Sequence, residues 1–163
     1  MIYVFDSNTL IKIFNHYYRN QFPSFWEKFD EYVDNGKIIS VRAVKTELEN
    51  GRDLLADFVM TNNIFDMPTN NETDFITEIF EIEHFQNLIS KKARLQGKEV
   101  ADPYLIARAK ILDICVVTEE KLKSNAAKIP NVCQKFNVCC VNLEQFMKDE
   151  GWSFNNWGQC VIN

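Results

Sequence analysis

The sequence contains no Cys-x-x-Cys pair, only two histidines and no long hydrophobic run. Its five cysteines are an odd number, which argues against a disulfide framework, so we expect reduced thiols that pack as small apolar groups. A zinc site would need His16 or His84, but both lie in helix-like segments far from the cysteines in sequence. We therefore do not expect a zinc site. No stretch approaches the ~18 consecutive apolar residues of a membrane span, and no signal-peptide pattern opens the chain. We therefore expect a cytoplasmic protein with no membrane segment.

Glycine and proline are also scarce, with five and four residues, which leaves little room for linkers. At 163 residues the chain has the length of one domain and can bury a substantial core. Apolar residues form 46% of the sequence, an ordinary fraction for a globular protein. These values predict a single folded unit.

An excess of positive charge is absent as well, since the net charge is −5. This value argues against a nucleic-acid partner, because phosphate binding requires Lys and Arg. The charge is unevenly distributed, however: residues 91–128 contain nine basic and five acidic side chains, whereas residues 1–90 contain seven and fifteen. The middle segment is where a polyanion would bind, although a solvated helix face explains its basic residues equally well.

The first residues show the clearest local pattern. An apolar run from Ile2 to Phe5 ends at Asp6 and two small polar residues, after which apolar residues recur at helical spacing. This pattern predicts a buried strand, a tight turn and a helix. Four further strands are predicted at residues 38–39, 64–67, 114–117 and 138–141. Because helices alternate with these strands, the sequence indicates an α/β domain with a parallel sheet.

Several helix boundaries are also marked in the sequence. Ser40 is expected to cap the helix that carries Glu47, and Asp102, which precedes Pro103, is expected to cap another. A longer helix with a broad apolar face is expected from residue 71 to residue 89.

Four acids fall near the predicted carboxyl ends of strands, namely Asp6, Glu47, Asp102 and Glu120. Those ends share one edge of a parallel sheet, where ligands bind, so we expect the four carboxylates to converge. A group of carboxylates without His or Cys suits Mg²⁺ or Mn²⁺, which prefer oxygen ligands. Taken singly, each acid is equally well explained as a helix cap or as an exposed surface charge.

The chain resembles the PIN-domain ribonucleases in four segments. In order, these are Val4-Phe5-Asp6-Ser7-Asn8-Thr9-Leu10-Ile11, Val44-Lys45-Thr46-Glu47-Leu48, Ala101-Asp102-Pro103-Tyr104-Leu105-Ile106-Ala107-Arg108-Ala109 and Val116-Val117-Thr118-Glu119-Glu120. The sequence looks most like the VapC-type toxins of bacterial type II toxin–antitoxin pairs. It departs from them after the fourth strand, where the family has Thr-x-Asp and this chain has Thr118-Glu119-Glu120. Glu120 occupies the matching position, and Glu119 is the alternative if the turn is rotated.

The resemblance implies a PIN-like three-layer α/β/α sandwich, with a central parallel sheet of about five strands in the order 3-2-1-4-5. It implies a single PIN-like domain over residues 1–150, followed by a tail, residues 151–163, that packs on the domain or is partly flexible. The implied activity is that of a metal-dependent endoribonuclease toxin. Its catalytic and metal-binding residues would be Asp6, Glu47, Asp102 and Glu120, with Mg²⁺ or Mn²⁺ as cofactor.

Other residues have supporting roles in this interpretation. Ser7, Asn8 and Thr118 are expected to orient water or a ligand carboxylate. Arg108, Lys121 and Lys123 are expected to contact the RNA backbone. The implied partners are an RNA substrate, a cognate antitoxin protein and a second copy of the chain in a homodimer.

Two other functions fit parts of the sequence. A haloacid-dehalogenase-like phosphatase also begins with an apolar strand that ends in Asp, but it needs an acid two residues later, where this chain has Asn8. A PIN-like module that has lost activity and binds RNA or protein would fit the acidic net charge and the Glu120 replacement. Binding of a divalent ion would distinguish that module from the ribonuclease.

Overall fold

The computed structural model describes residues 1–97 and 99–154. Five strands form one sheet in which every neighbouring pair is parallel, and the strand order is β3-β2-β1-β4-β5. The strands are β1 (Tyr3–Phe5), β2 (Ile38–Val41), β3 (Phe65–Asp66), β4 (Cys115–Val117) and β5 (Cys139–Val141). The predicted α/β fold with a 3-2-1-4-5 sheet flanked by helices is confirmed.

Nine α-helices and one 3₁₀ helix are present among the described residues. The helices are α1 (Ser7–His16), α2 (Pro23–Asp34), α3 (Arg42–Leu48), α4 (Leu54–Thr61), α5 (Asn70–Glu81), the 3₁₀ helix (Glu83–Leu88), α6 (Lys91–Leu95), α7 (Asp102–Leu112), α8 (Ile129–Phe136) and α9 (Leu143–Asp149). Three of them, α2, α7 and α8, have proline in the first turn, where its missing N–H costs no hydrogen bond.

The core is built around the two central strands, whose side chains are buried on both faces of the sheet. Aromatic side chains fill one side of it: Phe5 lies edge-on to Phe146, and Phe29 lies between Phe5 and Phe25. Burial of each such ring stabilises the fold by roughly 1.5–3 kcal/mol. The carboxyl ends of β1 and β4 are therefore anchored in the buried core.

The register of the central strands determines what meets at the carboxyl edge of the sheet. Phe5 is paired with Val117, so β1 and β4 end side by side. The chain continues into Asp6 on one strand and Thr118 on the other, and the Asp6 amide donates to the Val117 carbonyl at 3.1 Å. These two residues are consequently neighbours, although 112 positions separate them in sequence.

Ser40 differs from its prediction as a helix cap. It lies inside β2, is fully buried, and its hydroxyl donates to the Phe5 carbonyl at 2.7 Å. The following helix, α3, begins at Arg42 and has no side-chain cap. The serine therefore joins β2 to β1, because a buried hydroxyl needs a hydrogen-bond partner and the strand carbonyl supplies one.

The long helix predicted over residues 71–89 is interrupted. Helix α5 ends at Glu81, Ile82 has extended dihedral angles, and a 3₁₀ helix follows. The Gln86 side chain donates to the Phe80 carbonyl at 3.0 Å and so satisfies an acceptor at the end of α5. The break directs Phe85 towards Phe136 on α8.

The prediction that all five cysteines are reduced is wrong for two of them. Cys115 and Cys139 are directly opposite each other on β4 and β5 and form a disulfide. Cys133 and Cys140 are free thiols, and Cys160 lies outside the described residues. Sequence spacing did not indicate the pair, because its members come together only through pairing of the two strands.

The first residues of the predicted tail pack on the body of the protein. Gly151 has a φ of +64°, which favours glycine, and the turn there directs the buried Trp152 against Tyr32 and Phe146. Residues 155–163, which form most of the predicted tail, lie outside the described residues. The division of the chain at residue 150 stays a prediction. No helix in the described part of the chain is long and apolar enough to cross a membrane.

Candidate functional site

Asp6 is the most deeply buried acid at the carboxyl edge of the sheet, with 2% of its surface exposed. One carboxylate oxygen accepts from the Thr9 amide at 2.6 Å, so Asp6 caps α1. The other accepts from the Thr118 hydroxyl at 2.5 Å. Asp6 is therefore a helix cap and also a fixed carboxylate at the strand end, and Thr118 orients it.

Glu47 approaches the same place from the last turn of α3. It accepts hydrogen bonds from the Ser7 hydroxyl and, at 3.2 Å, from the Ala101 amide. These contacts join the start of α1 to the start of α7 through one carboxylate. The Ser7 hydroxyl thus contacts an acid, whereas Asn8 is exposed on α1, and the supporting roles of both residues stay predictions.

Asp102 is the first residue of α7, and its predicted role as the cap is wrong. The cap position belongs to Ala101, which makes no side-chain capping bond. The carboxylate of Asp102 faces other acids instead: burial, followed by the charges of Glu120, Glu47 and Asp6, raises its pKa to about 7. The ionised form of Asp102 is thus disfavoured first by burial and then by the negative charges of its neighbours.

Glu119 and Glu120 face different parts of the molecule. Glu120 accepts from the Lys128 ammonium at 2.6 Å and from the Ile129 amide at 2.9 Å. Glu119 contacts the Lys12 ammonium at 2.5 Å and the Leu143 amide at 3.0 Å. Only Glu120 contributes to the raised pKa of Asp102, so the geometry favours it as the fourth acid.

Asp6, Glu47, Asp102 and Glu120 are called the edge acids below. Burial raises the pKa of Asp6, the Thr118 and Thr9 hydrogen bonds oppose that rise, and the charge of Glu120 adds to it. The structure thus brings together four carboxylates from four separate segments of the chain. Negative charge is therefore in excess at the site, and the charge of Lys128 only partly opposes the rise in the pKa of Asp102.

The donor chemistry of the edge acids fits a hard divalent cation, since every donor is a carboxylate oxygen. Among the described residues, however, no three His, Cys, Asp or Glu side chains are already arranged to hold a metal ion. The contacts explain this, because Glu47 and Glu120 are each occupied by hydrogen-bond donors of the protein. Binding of a cation would require those side chains to turn inward.

The prediction that Arg108 contacts RNA is wrong. The residue is 6% exposed, and its guanidinium group contacts Glu72 at 2.7 Å, Asp66 at 3.1 Å and the Met67 carbonyl at 2.8 Å. Glu72 also forms the capping box of α5 with Thr69. Arg108 therefore ties α7 to α5 and β3 and is unavailable to a polyanion.

Lys121 and Lys123 are exposed in the segment between β4 and α8. Lys121 lines a cleft of about 250 Å³ together with Glu120, Cys140 and Asn142. A second cleft, of about 280 Å³, has Glu47, Lys92 and Glu99 in its lining. Two of the edge acids thus each line a cleft open to solvent.

Sequence reasoning missed one functional candidate, Lys128. Its ammonium group contacts Glu120 and is also attracted to Asp102. The available signal was its place at the end of the basic segment, directly before the helix that begins at Ile129. Nothing in the local pattern distinguished it from Lys121 or Lys123, because its contact depends on how the loop returns to the sheet.

The model of one protein family, described as "Domain of unknown function (DUF4411)", matches residues 3–154. The chain belongs to the DUF4411 family. No curated protein matches its sequence. A solved structure described as VapBC2 from Rickettsia felis bound to a DNA fragment from their promoter is similar to this DUF4411 protein, with a TM-score of 0.50 and 14% identity. The likeness covers 87% of this chain and 98% of the other, and it shows that the two chains share a fold.

Proposed function

We propose that this DUF4411 protein is a metal-dependent endoribonuclease and the toxin of a type II toxin–antitoxin pair. The observation that carries the proposal is the convergence of the four edge acids, since burial together with the charges of the other three raises the pKa of Asp102 to about 7. Such crowding destabilises a fold, and strongly perturbed carboxyl groups in a cleft are typical of functional sites. The similarity to VapBC2 supports the toxin assignment at the level of the fold.

Each edge acid has a distinct place in the proposed site. Asp6 and Asp102 would be the inner ligands of Mg²⁺ or Mn²⁺, since both are held close to the sheet. Glu47 and Glu120 would complete the site after releasing their present donors. A bound divalent ion would activate water and offset charge on a phosphodiester.

Other residues would hold the acids and the substrate. Thr118 fixes the rotation of Asp6, and Ser7 fixes Glu47, so both act through a carboxylate. Lys121 and Lys123 are exposed beside the cleft next to Glu120 and would contact RNA phosphates. A cognate antitoxin and a second copy of the chain are the proposed protein partners.

The test is the variant Asp102→Asn, which keeps the shape of the side chain and removes its charge. We expect it to abolish Mn²⁺-dependent RNA cleavage in vitro and growth arrest on expression, while the thermal unfolding profile stays that of a folded protein. Asp113→Asn is the matched control, because Asp113 is an exposed acid at the other end of α7 in a left-handed conformation that Asn also adopts. Cleavage by Asp102→Asn at the parent's rate would refute the site assignment.

The second candidate is a PIN-like module that binds RNA or protein without cutting it. It is favoured by the hydrogen bonds that already occupy Glu47 and Glu120. Titration with Mn²⁺ by calorimetry distinguishes the two functions. The ribonuclease should bind Mn²⁺ and lose that binding in Asp102→Asn, whereas the module should show no binding that depends on a carboxylate.

A further inference from the structure

Lys128 is the basic side chain that reaches the edge acids from the loop after β4. Its ammonium nitrogen lies 2.6 Å from one oxygen of Glu120, and it also attracts the charge of Asp102. The Lys128 side chain is 43% exposed and that of Glu120 is 16% exposed, so the pair lies at the boundary between the site and solvent. Lys128 can therefore leave the site without disrupting the core.

Both oxygens of Glu120 are held by consecutive residues at the start of α8. Lys128 contacts one oxygen, and the Ile129 amide donates to the other at 2.9 Å. The Thr118 hydroxyl accepts from the Glu120 amide at 3.1 Å and also donates to Asp6. Glu120 is thus tied to Asp6 through its backbone and to α8 through its carboxylate.

Glu119 provides an internal comparison. It forms a similar ion pair with Lys12, but that pair lies away from Asp102. The chain therefore pairs two adjacent glutamates with two different lysines, and only the Lys128 pair places a positive charge among the edge acids. Lys128 partly offsets the excess negative charge of the site.

We propose that Lys128 is the resident counter-cation of the edge acids, and that it competes with a divalent ion for Glu120. In the metal-free protein Lys128 pairs with one oxygen of Glu120 and offsets its charge. Lys128 must give up this contact before Glu120 can bind an ion. Lys128 is thus a positioning residue that sets the metal concentration at which the site fills, and this role rests on the function proposed above.

The experiment is calorimetric titration of the full chain with Mn²⁺. The variants are Lys128→Gln, which removes the charge, and Lys128→Arg, which retains it. Lys135→Gln is the control, because Lys135 is an exposed lysine at the far end of α8 and its substitution changes the net charge equally. We expect Lys128→Gln to bind Mn²⁺ at least about fivefold more tightly than the parent, while the other two variants bind it as the parent does.

A second measurement uses no enzyme activity and starts from metal-free protein. In the presence of chelator, Lys128→Gln should unfold at a lower temperature than Lys135→Gln, because Glu120 loses its partner. Excess Mn²⁺ should then raise the unfolding temperature of Lys128→Gln by more than it raises that of the parent. If Lys128→Gln does not fold, Lys128→Met, which keeps most of the alkyl stem, takes its place in both measurements.

The outcomes separate this role from the proposed function. If the parent binds Mn²⁺ and Lys128→Gln binds it equally or more weakly, Lys128 is not a competing cation, and the ribonuclease proposal stands. If neither protein binds Mn²⁺, the metal-dependent function and the role of Lys128 both fall. Tighter binding by Lys128→Arg than by the parent would also overturn the proposal, because the positive charge is then not what competes.

Discussion

Two sets of acidic side chains in this protein have opposite surroundings. Glu72 and Glu150, called the structural acids here, are surrounded by donors: Glu72 contacts Arg108, and Glu150 accepts from the Tyr3 and Tyr32 hydroxyls at 2.8 and 2.9 Å. Burial alone would raise the pKa of Glu150, but the tyrosine hydrogen bonds hold it below its usual value. Among the edge acids, Asp6, Glu47 and Glu120 also accept hydrogen bonds, but burial and the charges of these three raise the pKa of Asp102.

The comparison separates two uses of a carboxylate in one fold. Each structural acid satisfies its lone pairs within the protein and stabilises a junction between elements. The edge acids repel one another, so they destabilise the metal-free fold and leave lone pairs that a cation could use. Removing the partners of the structural acids should therefore reduce stability, whereas neutralising Asp102, whose ionised form is disfavoured by burial and by its neighbours, should not.

The largest effect is expected for Arg108→Met, which leaves Glu72 charged and without its main partner. Because Glu72 is only 2% exposed, we expect the free energy of unfolding to fall by about 3–5 kcal/mol. Urea denaturation followed by tryptophan fluorescence would measure the loss. The variant Lys110→Met, at an exposed position of the same helix, should change stability by no more than about 0.5 kcal/mol.

A double variant sharpens this result. Glu72→Gln combined with Arg108→Met removes the unpaired charge but retains a side chain that can reach the Thr69 amide of the capping box. It should recover part of the lost stability. A double variant as unstable as Arg108→Met would show that the guanidinium acts through its contacts with Asp66 and Met67 and not through Glu72.

The next largest effect is expected for Glu150→Ala, which leaves two tyrosine hydroxyls without their acceptor. We expect a loss of about 2–3 kcal/mol in the free energy of unfolding, since both hydrogen bonds involve a charged group. Asp149→Ala is the control, because Asp149 is an exposed acid one residue earlier. Equal losses in the two variants would contradict the structural role of Glu150.

The dependence of stability on pH is expected to have opposite signs for the two sets, and it is spread over several pH units. The pKa of Asp102 is about 7 when folded and 3.8 ordinarily, so between these values the folded state binds more protons than the unfolded state. Stability should therefore fall as pH rises through that window, by up to about 1.4 kcal/mol per pH unit. The pKa of Glu150 is lower in the folded protein than its ordinary value of 4.5, so Glu150 stabilises the fold at pH values above 4.5. This stabilisation is lost as the pH falls through the pKa of the folded state.

Denaturation in the presence of chelator, repeated across this pH range, measures both contributions. Asp102→Asn should flatten the decline towards neutral pH, and Glu150→Gln should reduce the loss at acid pH. If the free energy of unfolding of Asp102→Asn changes with pH as steeply as that of the parent, the contrast between the two sets of acids is refuted, because the edge acids would then not repel one another in solution.

Much of the architecture could be predicted because it follows from local patterns. The apolar run before Asp6 indicated a central strand, and the Asp–Pro pair at residue 102 marked the start of a helix. Strand order came from the resemblance to PIN domains, which periodicity alone does not provide. The convergence of the acids followed from placing strand ends on one edge of a parallel sheet.

Four of the discrepancies share one physical cause, which is that each depends on contacts distant in sequence. The buried position of Arg108 is set by its contacts with α5 and β3, and the Cys115–Cys139 disulfide is set by strand register. Ser40 was predicted as a cap because its hydroxyl suits that role, but the neighbouring strand supplied a different acceptor. Lys128 was overlooked because its approach to Glu120 depends on the loop between β4 and α8.

The outermost strands of the sheet are very short, with two residues in β3 and three in β5. Pairing of a second chain along either edge would gain only a few backbone hydrogen bonds, and short edges of this kind oppose edge-to-edge aggregation. Continuous sheets formed across two molecules are thus disfavoured at both of these strands. The proposed homodimer would therefore gain little from these two edges, and substitutions on exposed helix surfaces are the first way to test for one.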